Sequence, residues 1–266
     1  MNEPLRVLDL FSGIGGFSLG LRRAGGFRTV AYCEIEAYCQ AVLLARMRDG
    51  WLDTAPIHSD ITRLDGKPWG GAVDVICGGF PCQDISGAGT RAGISGSRSG
   101  LWSEMARIIR EVAPRFVIVE NVADIAWRGI DRVLGDLADL GLDAEWCCVC
   151  SCVFGTAHCR ERAWVVADSG GFGEQGFFRE GFRARQAGQR GKDVEALVPH
   201  RSRHGMADTF GDGETSAILR GESDGIPSRL DRLHAVGNAV VPHVVEWIGR
   251  GLIEVTHNPS NAKEVK

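Results

Sequence analysis

From Leu5 to Ala167 short apolar runs alternate with stretches of helical period. Leu5-Arg6-Val7-Leu8-Asp9-Leu10, Phe27 to Cys33, Val73 to Cys77, Phe116 to Val119 and Ala163 to Ala167 read as strands, several apolar enough for burial on both faces. Ile57 to Ile61 reads as a further short strand. Between them, Phe17, Leu19, Gly20 and Leu21 suggest one helix and Ala37 to Met47 a second. Leu101, Met105, Ile108, Ile109 and Val112 recur at amphipathic spacing and predict a helix over 101–112. Ile130, Val133, Leu134, Leu137 and Leu140 mark another. Near the end Val240, Val241, Val244, Val245 and Ile248 predict a helix that returns to the main domain.

Three strand ends carry candidate chemistry. The first runs into Phe11-Ser12-Gly13-Ile14-Gly15-Gly16, and strand, glycine-rich turn, helix is how a nucleotide-binding βα unit opens. The spacing is Gly-x-Gly-Gly, which admits a ligand close to the backbone without copying a pyrophosphate cradle. A purely structural turn fits as well. The second strand ends at Glu34-Ile35-Glu36, about twenty residues after the glycines, where a carboxylate can accept ribose hydroxyls. A helix N-terminal acid also fits there, and Glu36 fits that role better than Glu34. The strand at Val73–Cys77 ends in Gly78-Gly79-Phe80-Pro81-Cys82-Gln83-Asp84-Ile85-Ser86. The glycines and proline turn the chain sharply and leave Cys82 at the carboxyl edge of the sheet, where open α/β folds place their chemistry. The Gly/Ser-rich stretch 87–100 then carries Arg91 and Arg98.

Further polar positions are ambiguous taken singly. Glu120-Asn121 closes a buried strand, where a carboxylate is costly unless used or paired. Asp60 reads as a turn cap at Thr62, or as an acceptor for an adenine amine. Arg160 and Arg162 share a side if their segment is extended, which suits an anionic or carbonyl-rich ligand, or simply a solvated face. Cys147-Cys148-Val149-Cys150-Ser151-Cys152 lacks the two-residue gap of zinc knuckles, so no metal is expected. Alternation instead puts Cys148, Cys150 and Cys152 on one strand face as small apolar residues.

Composition narrows the setting. Apolar residues are 44% and charged residues 24% of 266, ordinary for a soluble globular chain. Net charge is -4, so nucleic-acid binding would need a local patch. Residues 169–206 offer one, with seven Arg/Lys against four Asp/Glu and Phe172, Phe177, Phe178 and Phe182 among many glycines. Nine cysteines without a secretory segment suggest reduced thiols and a cytoplasmic setting, and no run is apolar enough to span a membrane.

Taken together, Asp9-Leu10-Phe11-Ser12-Gly13-Ile14-Gly15-Gly16, Pro81-Cys82-Gln83, Glu120-Asn121-Val122, Arg160-Glu161-Arg162 and Gly237-Asn238-Ala239-Val240-Val241-Pro242 resemble, in order and spacing, the motif series of DNA (cytosine-5) methyltransferases of the compact bacterial and phage type. The resemblance implies an α/β, Rossmann-like methyltransferase fold with a mixed sheet, plus a small target-recognition domain. Residues 1–168 would form the catalytic and cofactor-binding domain, 169–228 the recognition domain, and 229–266 a segment returning to the first. S-adenosylmethionine would be the cofactor, and methylation of carbon 5 of a flipped cytosine in duplex DNA the reaction. Cys82 would be the nucleophile, Glu120 the group at ring nitrogen 3, and Arg162 the partner of the carbonyl at carbon 2, with Arg160 and Asn121 in support. That role for Glu120 requires a raised pKa. Phe11, Gly13, Ile14, Gly15 and Gly16 would line the cofactor pocket, with Glu34 on the ribose, Ile35 against the adenine, Asp60 and Ile61 at its edge, and Pro81, Leu101, Asn238 and Ala239 completing it. Ser86, Arg91 and Arg98 would meet DNA. His158 stands where the family usually has glutamine, and Ile35 where an aromatic is frequent. The 169–228 stretch is short for target recognition. A monomer is expected, compatible with a cognate restriction endonuclease acting on the same site and equally with modification alone. The rival readings are methylation of RNA and a non-catalytic DNA-binding or cofactor-sensing protein.

Overall fold

The chain forms β1 (Leu5–Leu10), α1 (Gly16–Ala24), β2 (Phe27–Cys33), α2 (Ala37–Arg48), β3 (Ile57–His58), β4 (Val75–Gly78), α3 (Gly100–Val112), β5 (Phe116–Val122), α4 (Ile125–Arg128), α5 (Ile130–Asp139), β6 (Asp143–Cys150), β7 (Glu161–Asp168) and α6 (Pro242–His257). The computed structural model describes residues 3–81, 100–154, 160–172, 176–178, 235 and 237–257. No helix among the described residues is long and apolar enough to cross a membrane.

One seven-stranded sheet runs in the order β3-β2-β1-β4-β5-β7-β6. β1 to β5 pair in parallel, and β7 lies antiparallel between β5 and β6. Side-chain alternation along the central strands divides the core in two. Leu8, Leu10, Ile76, Val117, Val119 and Val165 face α3 and α5. Val7, Val75, Cys77, Phe116, Ile118 and Val166 face α1 and α6. Burial on both faces is why these runs read as nearly continuous apolar sequence. β4 starts at Val75, two residues later than its apolar run suggests. Asp74 is held before it, accepting from the Arg6 amide at 2.8 Å and from Arg6 Nε at 2.9 Å.

Two sequence expectations are corrected. Cys152 does not share a strand face with Cys148 and Cys150. β6 ends at Cys150 and turns into a 3-10 helix over Ser151–Phe154: the Ser151 amide still donates to the Arg160 carbonyl at 2.9 Å, but the Arg160 amide donates to Ser151 Oγ and not to its carbonyl. Phe172, Phe177 and Phe178 are not exposed aromatics available to stack on nucleic acid. All three are buried in the cluster shared with α1 and α6, and Phe178 packs on Trp247 with ring centroids 6.1 Å apart. Their backbone is tied to β6: Asp143 accepts from the Phe172 amide, and Glu145 from those of Phe177 and Phe178. Phe182 lies outside the described residues.

α6 reaches α1 so closely that glycine is required at the crossing. A Cβ on Gly20 would stand 2.6 Å from the Pro242 carbonyl oxygen and 2.5 Å from Val245 Cβ. One on Gly16 would stand 2.6 Å from the Val240 carbonyl oxygen. Gly249 returns the fit, its added Cβ lying 2.8 Å from that of Ala24.

Asp9 is fully buried under the start of α1. Its Oδ2 accepts from Ser18 Oγ at 2.6 Å and from the Ser18 amide at 3.3 Å, and Thr29 Oγ1 donates to Ser18 Oγ at 3.0 Å. Oδ1 has no partner among the described residues. Burial outweighs the Ser18 hydrogen bonds and raises the Asp9 pKa to about 7.

Two outcomes follow for stability. Gly20→Ala should cost about 1–3 kcal/mol, because the obstructing atoms include a backbone carbonyl that cannot swing aside, as read by urea denaturation. For Asp9 the folded pKa lies above the unfolded value, so the folded state holds its proton longer. Its ionisation therefore lowers stability as pH rises from about 4 to 7, by up to about 4 kcal/mol. Asp9→Asn should flatten that dependence, and denaturation midpoints at pH 5 and 8 should converge relative to wild type.

Candidate active site

The carboxyl ends of β1, β2, β4 and β5 and the start of β7 meet along one edge of the sheet. After β1 the backbone turns through Phe11 (φ 51), Gly13 (φ 53) and Gly15 (φ 85). Two glycines supply the left-handed positions without strain, whereas Phe11 holds one against the ordinary preference of an L-residue. A Cβ on Gly13 would meet nothing within 4 Å, so the turn opens onto free space. Glu34, at the end of β2, is 7% exposed. It accepts from the Gly13 amide at 2.6 Å and from the Glu36 amide at 2.7 Å. Glu34 thus joins the glycine turn to the start of α2. Glu36 is the N-cap of that helix but makes no side-chain cap hydrogen bond.

Ile35 is 70% exposed beside Glu34, an apolar side chain left uncovered at the rim. Across β3, Asp60 caps the 3-10 turn Ile61–Arg63. Its Oδ1 accepts from the Thr62 amide at 2.9 Å and from Thr62 Oγ1 at 2.7 Å. Those bonds hold the Asp60 pKa below the usual carboxylate range. Oδ2 takes no part in either bond, so capping and reception of a ligand amine are compatible on one side chain. Ile61 is buried, and Leu101 is partly buried in the first turn of α3. Val240 packs over Gly16 and lies near Gly79, two residues after Asn238 in the chain.

Antiparallel pairing sets Val122 opposite Arg162 and Glu120 opposite Trp164. Arg162 Nε therefore comes to 3.1 Å from Glu120 Oε1. Glu120 is 7% exposed. Its burial dominates the attraction of Arg162 and Arg160 and raises its pKa to about 7. The raised value expected from the sequence is present. Arg160 is half-buried, and burial followed by repulsion from Arg162 lowers its pKa. Its Nε is buried with no partner among the described residues, a donor without an acceptor. Ser151 positions its backbone, accepting from the Arg160 amide at 3.1 Å. Asn121 Nδ2 donates to the Phe80 carbonyl at 3.1 Å and so holds the turn that precedes Pro81, which is exposed. Gly79 allows the close approach, since an added Cβ would lie 2.9 Å from Glu120 Oε2.

The structure thus brings together Glu120, Asn121, Arg160 and Arg162 on one side, and Phe11, Gly13 to Gly16 and Glu34 on the other. Cys82, Ser86, Arg91, Arg98 and His158 lie outside the described residues. Two participants escape sequence reading. Arg46, at the end of α2, donates to the Ile14 carbonyl inside the glycine turn. Ser151 sits within the cysteine run and carries no signal of its own.

The chain is similar to known proteins over much of its length. Residues 5–195 match the family model described as C-5 cytosine-specific DNA methylase. Type II methyltransferase M.Eco47II of Escherichia coli is 35% identical over 145 residues, covering 53% of this chain and 33% of that protein. Type II methyltransferase M.CviJI of Paramecium bursaria Chlorella virus IL3A is 32% identical over 163 residues, covering 61% and 42%. The chain therefore spans well under half the length of these relatives. A prophage-encoded candidate DNA modification methyltransferase of Escherichia coli superposes with a TM-score of 0.60 over 96% of this chain and 100% of that one, at 19% identity, and so shares the fold.

The Glu120 carboxyl should titrate with a midpoint near 7 in carbon-13 NMR of glutamate-labelled protein. Arg162→Met should move that midpoint upward, because a cation favouring the charged form is removed. A wild-type midpoint in the ordinary glutamate range would contradict the burial argument.

Proposed function

The chain belongs to the C-5 cytosine-specific DNA methylase family, and on that premise we propose that it transfers a methyl group from S-adenosylmethionine to carbon 5 of a cytosine flipped out of duplex DNA. The observation that carries this reading is the pair of partly buried guanidiniums beside a buried carboxyl of raised proton affinity. Glu120 lies 3.1 Å from Arg162, and Arg160 Nε awaits an acceptor. Such a constellation suits a neutral ring with an acceptor nitrogen beside a carbonyl, and a cytosine presents both on one edge.

In this reading the Cys82 thiolate adds to carbon 6 of the ring, forming a carbon–sulfur bond and pushing an electron pair toward carbon 5 and nitrogen 3. Glu120 delivers or shares a proton at nitrogen 3, where negative charge gathers. Arg162 takes the carbonyl at carbon 2, and Arg160 supplies the second positive group. Asn121 keeps Phe80, two residues before Cys82 in the chain, against the end of β5. After methylation a base takes the carbon 5 proton, the ring double bond re-forms and the Cys82 sulfur leaves. Flipping is required because the ring is unreachable in the stack.

The residues of the glycine turn fit the cofactor. Gly13 opens onto free space, Glu34 offers a carboxylate at the end of β2, and Ile35 leaves an apolar surface for an aromatic base. Bound there, S-adenosylmethionine supplies an electrophilic methyl on a sulfonium. Phe11, Gly13 to Gly16, Pro81, Leu101, Asn238 and Ala239 would complete its pocket, with Asp60 and Ile61 at the adenine edge. Residues within 169–228 would read the DNA sequence, with Ser86, Arg91 and Arg98 on the backbone. The relatives' names fit a modification role, alone or beside a restriction endonuclease of the same specificity.

The test is a covalent trap. Duplexes of diverse sequence carrying 5-fluorocytosine are incubated with protein and S-adenosylmethionine, and the products are run on a denaturing gel. Fluorine cannot depart as a proton does, so the reaction stalls with Cys82 bonded to carbon 6. A band that appears with wild type and is lost in Cys82→Ser supports the mechanism. Folded, cofactor-binding protein that gives no band on any duplex would refute it.

A further inference from the structure

Arg107, on α3, divides its guanidinium between two carboxylates of its own helix and two backbone carbonyls of the segment that follows β3. Nη2 donates to the Ile61 carbonyl at 2.8 Å and Nη1 to the Leu64 carbonyl at 3.0 Å. Two carboxylates of the same helix hold the guanidinium in place. Nε donates to Glu104 at 2.8 Å, and Nη1 lies 2.9 Å from Glu111 Oε2. That Glu111 oxygen also accepts from the Gly66 amide at 2.8 Å. Three points of the segment Ile61–Gly66 are thus pinned to one turn of α3.

The segment needs such pinning. It follows β3, an edge strand of two residues that pairs only with Tyr32 and Cys33 of β2. Little ladder remains to orient what comes next, namely Asp60 and the 3-10 turn it caps. Gly66 permits the close approach to α3, since an added Cβ would lie 2.8 Å from both Glu111 Cβ and Glu111 Oε2. A planar guanidinium can serve two carbonyls and two carboxylates at once, whereas an ammonium offers no fixed fork.

We propose that Arg107 is a positioning residue for adenine recognition, setting through the Ile61 and Leu64 carbonyls where Asp60 and Ile61 meet the purine of the cofactor. The inference rests on the reading of the site as an S-adenosylmethionine site. It predicts a fault confined to one end of the ligand, because Glu34 and the glycine turn have their own supports.

Isothermal titration calorimetry with S-adenosylhomocysteine, and with its counterpart carrying hydrogen in place of the 6-amino group, separates the two ends. Wild type should prefer the amino form by about tenfold or more, the factor for a hydrogen bond to a charged group worth about 1.4 kcal/mol. Arg107→Met should bind S-adenosylhomocysteine about tenfold more weakly and the amino-free ligand within about twofold of wild type, so that the preference collapses. Arg107→Lys should recover part of it. Gly66→Ala, which displaces the same segment by pushing it off Glu111 while leaving Arg107 itself in place, should shift the preference in the same direction and serves if Arg107→Met does not fold. Equal weakening of both ligands, or an unchanged preference in folded variants, would overturn the positioning role alone. Wild type binding neither ligand would overturn the cofactor reading and this inference with it.

Discussion

The reversal of β7 beside β5 is the constraint on which the reacting edge depends. Were β7 parallel to β5, its first residues would lie at the opposite end of the sheet from Glu120. Antiparallel pairing brings the start of one strand to the end of the other, so Val122 faces Arg162 and the guanidinium reaches Glu120. The same reversal orders β6, whose last residues lie beside Glu161 and hand the chain to Ser151, which in turn holds the Arg160 backbone. A carboxyl, two guanidiniums and the turn before Cys82 are therefore assembled by strand direction and need no long side-chain scaffold.

Proton affinity at that edge is set by competition. Arg162 and Arg160 draw the Glu120 carboxyl toward its charged form, and burial pushes it the other way and wins. Each arginine is itself only partly covered, which keeps the desolvation of three charged groups within reach of their mutual attraction. Asp9 shows the same physics without cations: its burial is met by hydroxyl and amide donors, and it too holds its proton to about 7. One carboxyl stands among cations at the edge, and the other supports the helix under the glycine turn.

Much of this was legible in the chain. β1, β4 and β5 are apolar because both faces are covered, and α3 and α5 show their buried stripes plainly. The acid at the end of β5 could be argued costly, hence used, from its neighbours alone. What stayed hidden has physical reasons too. Phe172, Phe177 and Phe178 sit among glycines with no helical or strand period, so their burial against α6 depends on distant residues. Cys152 leaves the strand where the Ser151 hydroxyl takes the Arg160 amide that a further ladder bond would have used. Arg107 looks like any helix charge paired with Glu104 and Glu111, since the carbonyls of Ile61 and Leu64 that it also serves are not displayed by a sequence. Asp60 shows the turn cap, which occupies one of its oxygens.

Phe178 and α6 share one apolar cluster, and Val240 and Val241 join it from the far flank of residues 179–234. Both ends of that stretch are thus moored to the same patch of the sheet domain. The closure entropy of a loop between fixed moorings grows only with the logarithm of its length, about 0.6 kcal/mol for each doubling. By that measure the length of a connection between two such moorings adds only a small term to the stability of the sheet. The junction itself is made of three phenylalanines and a tryptophan, all within the described residues.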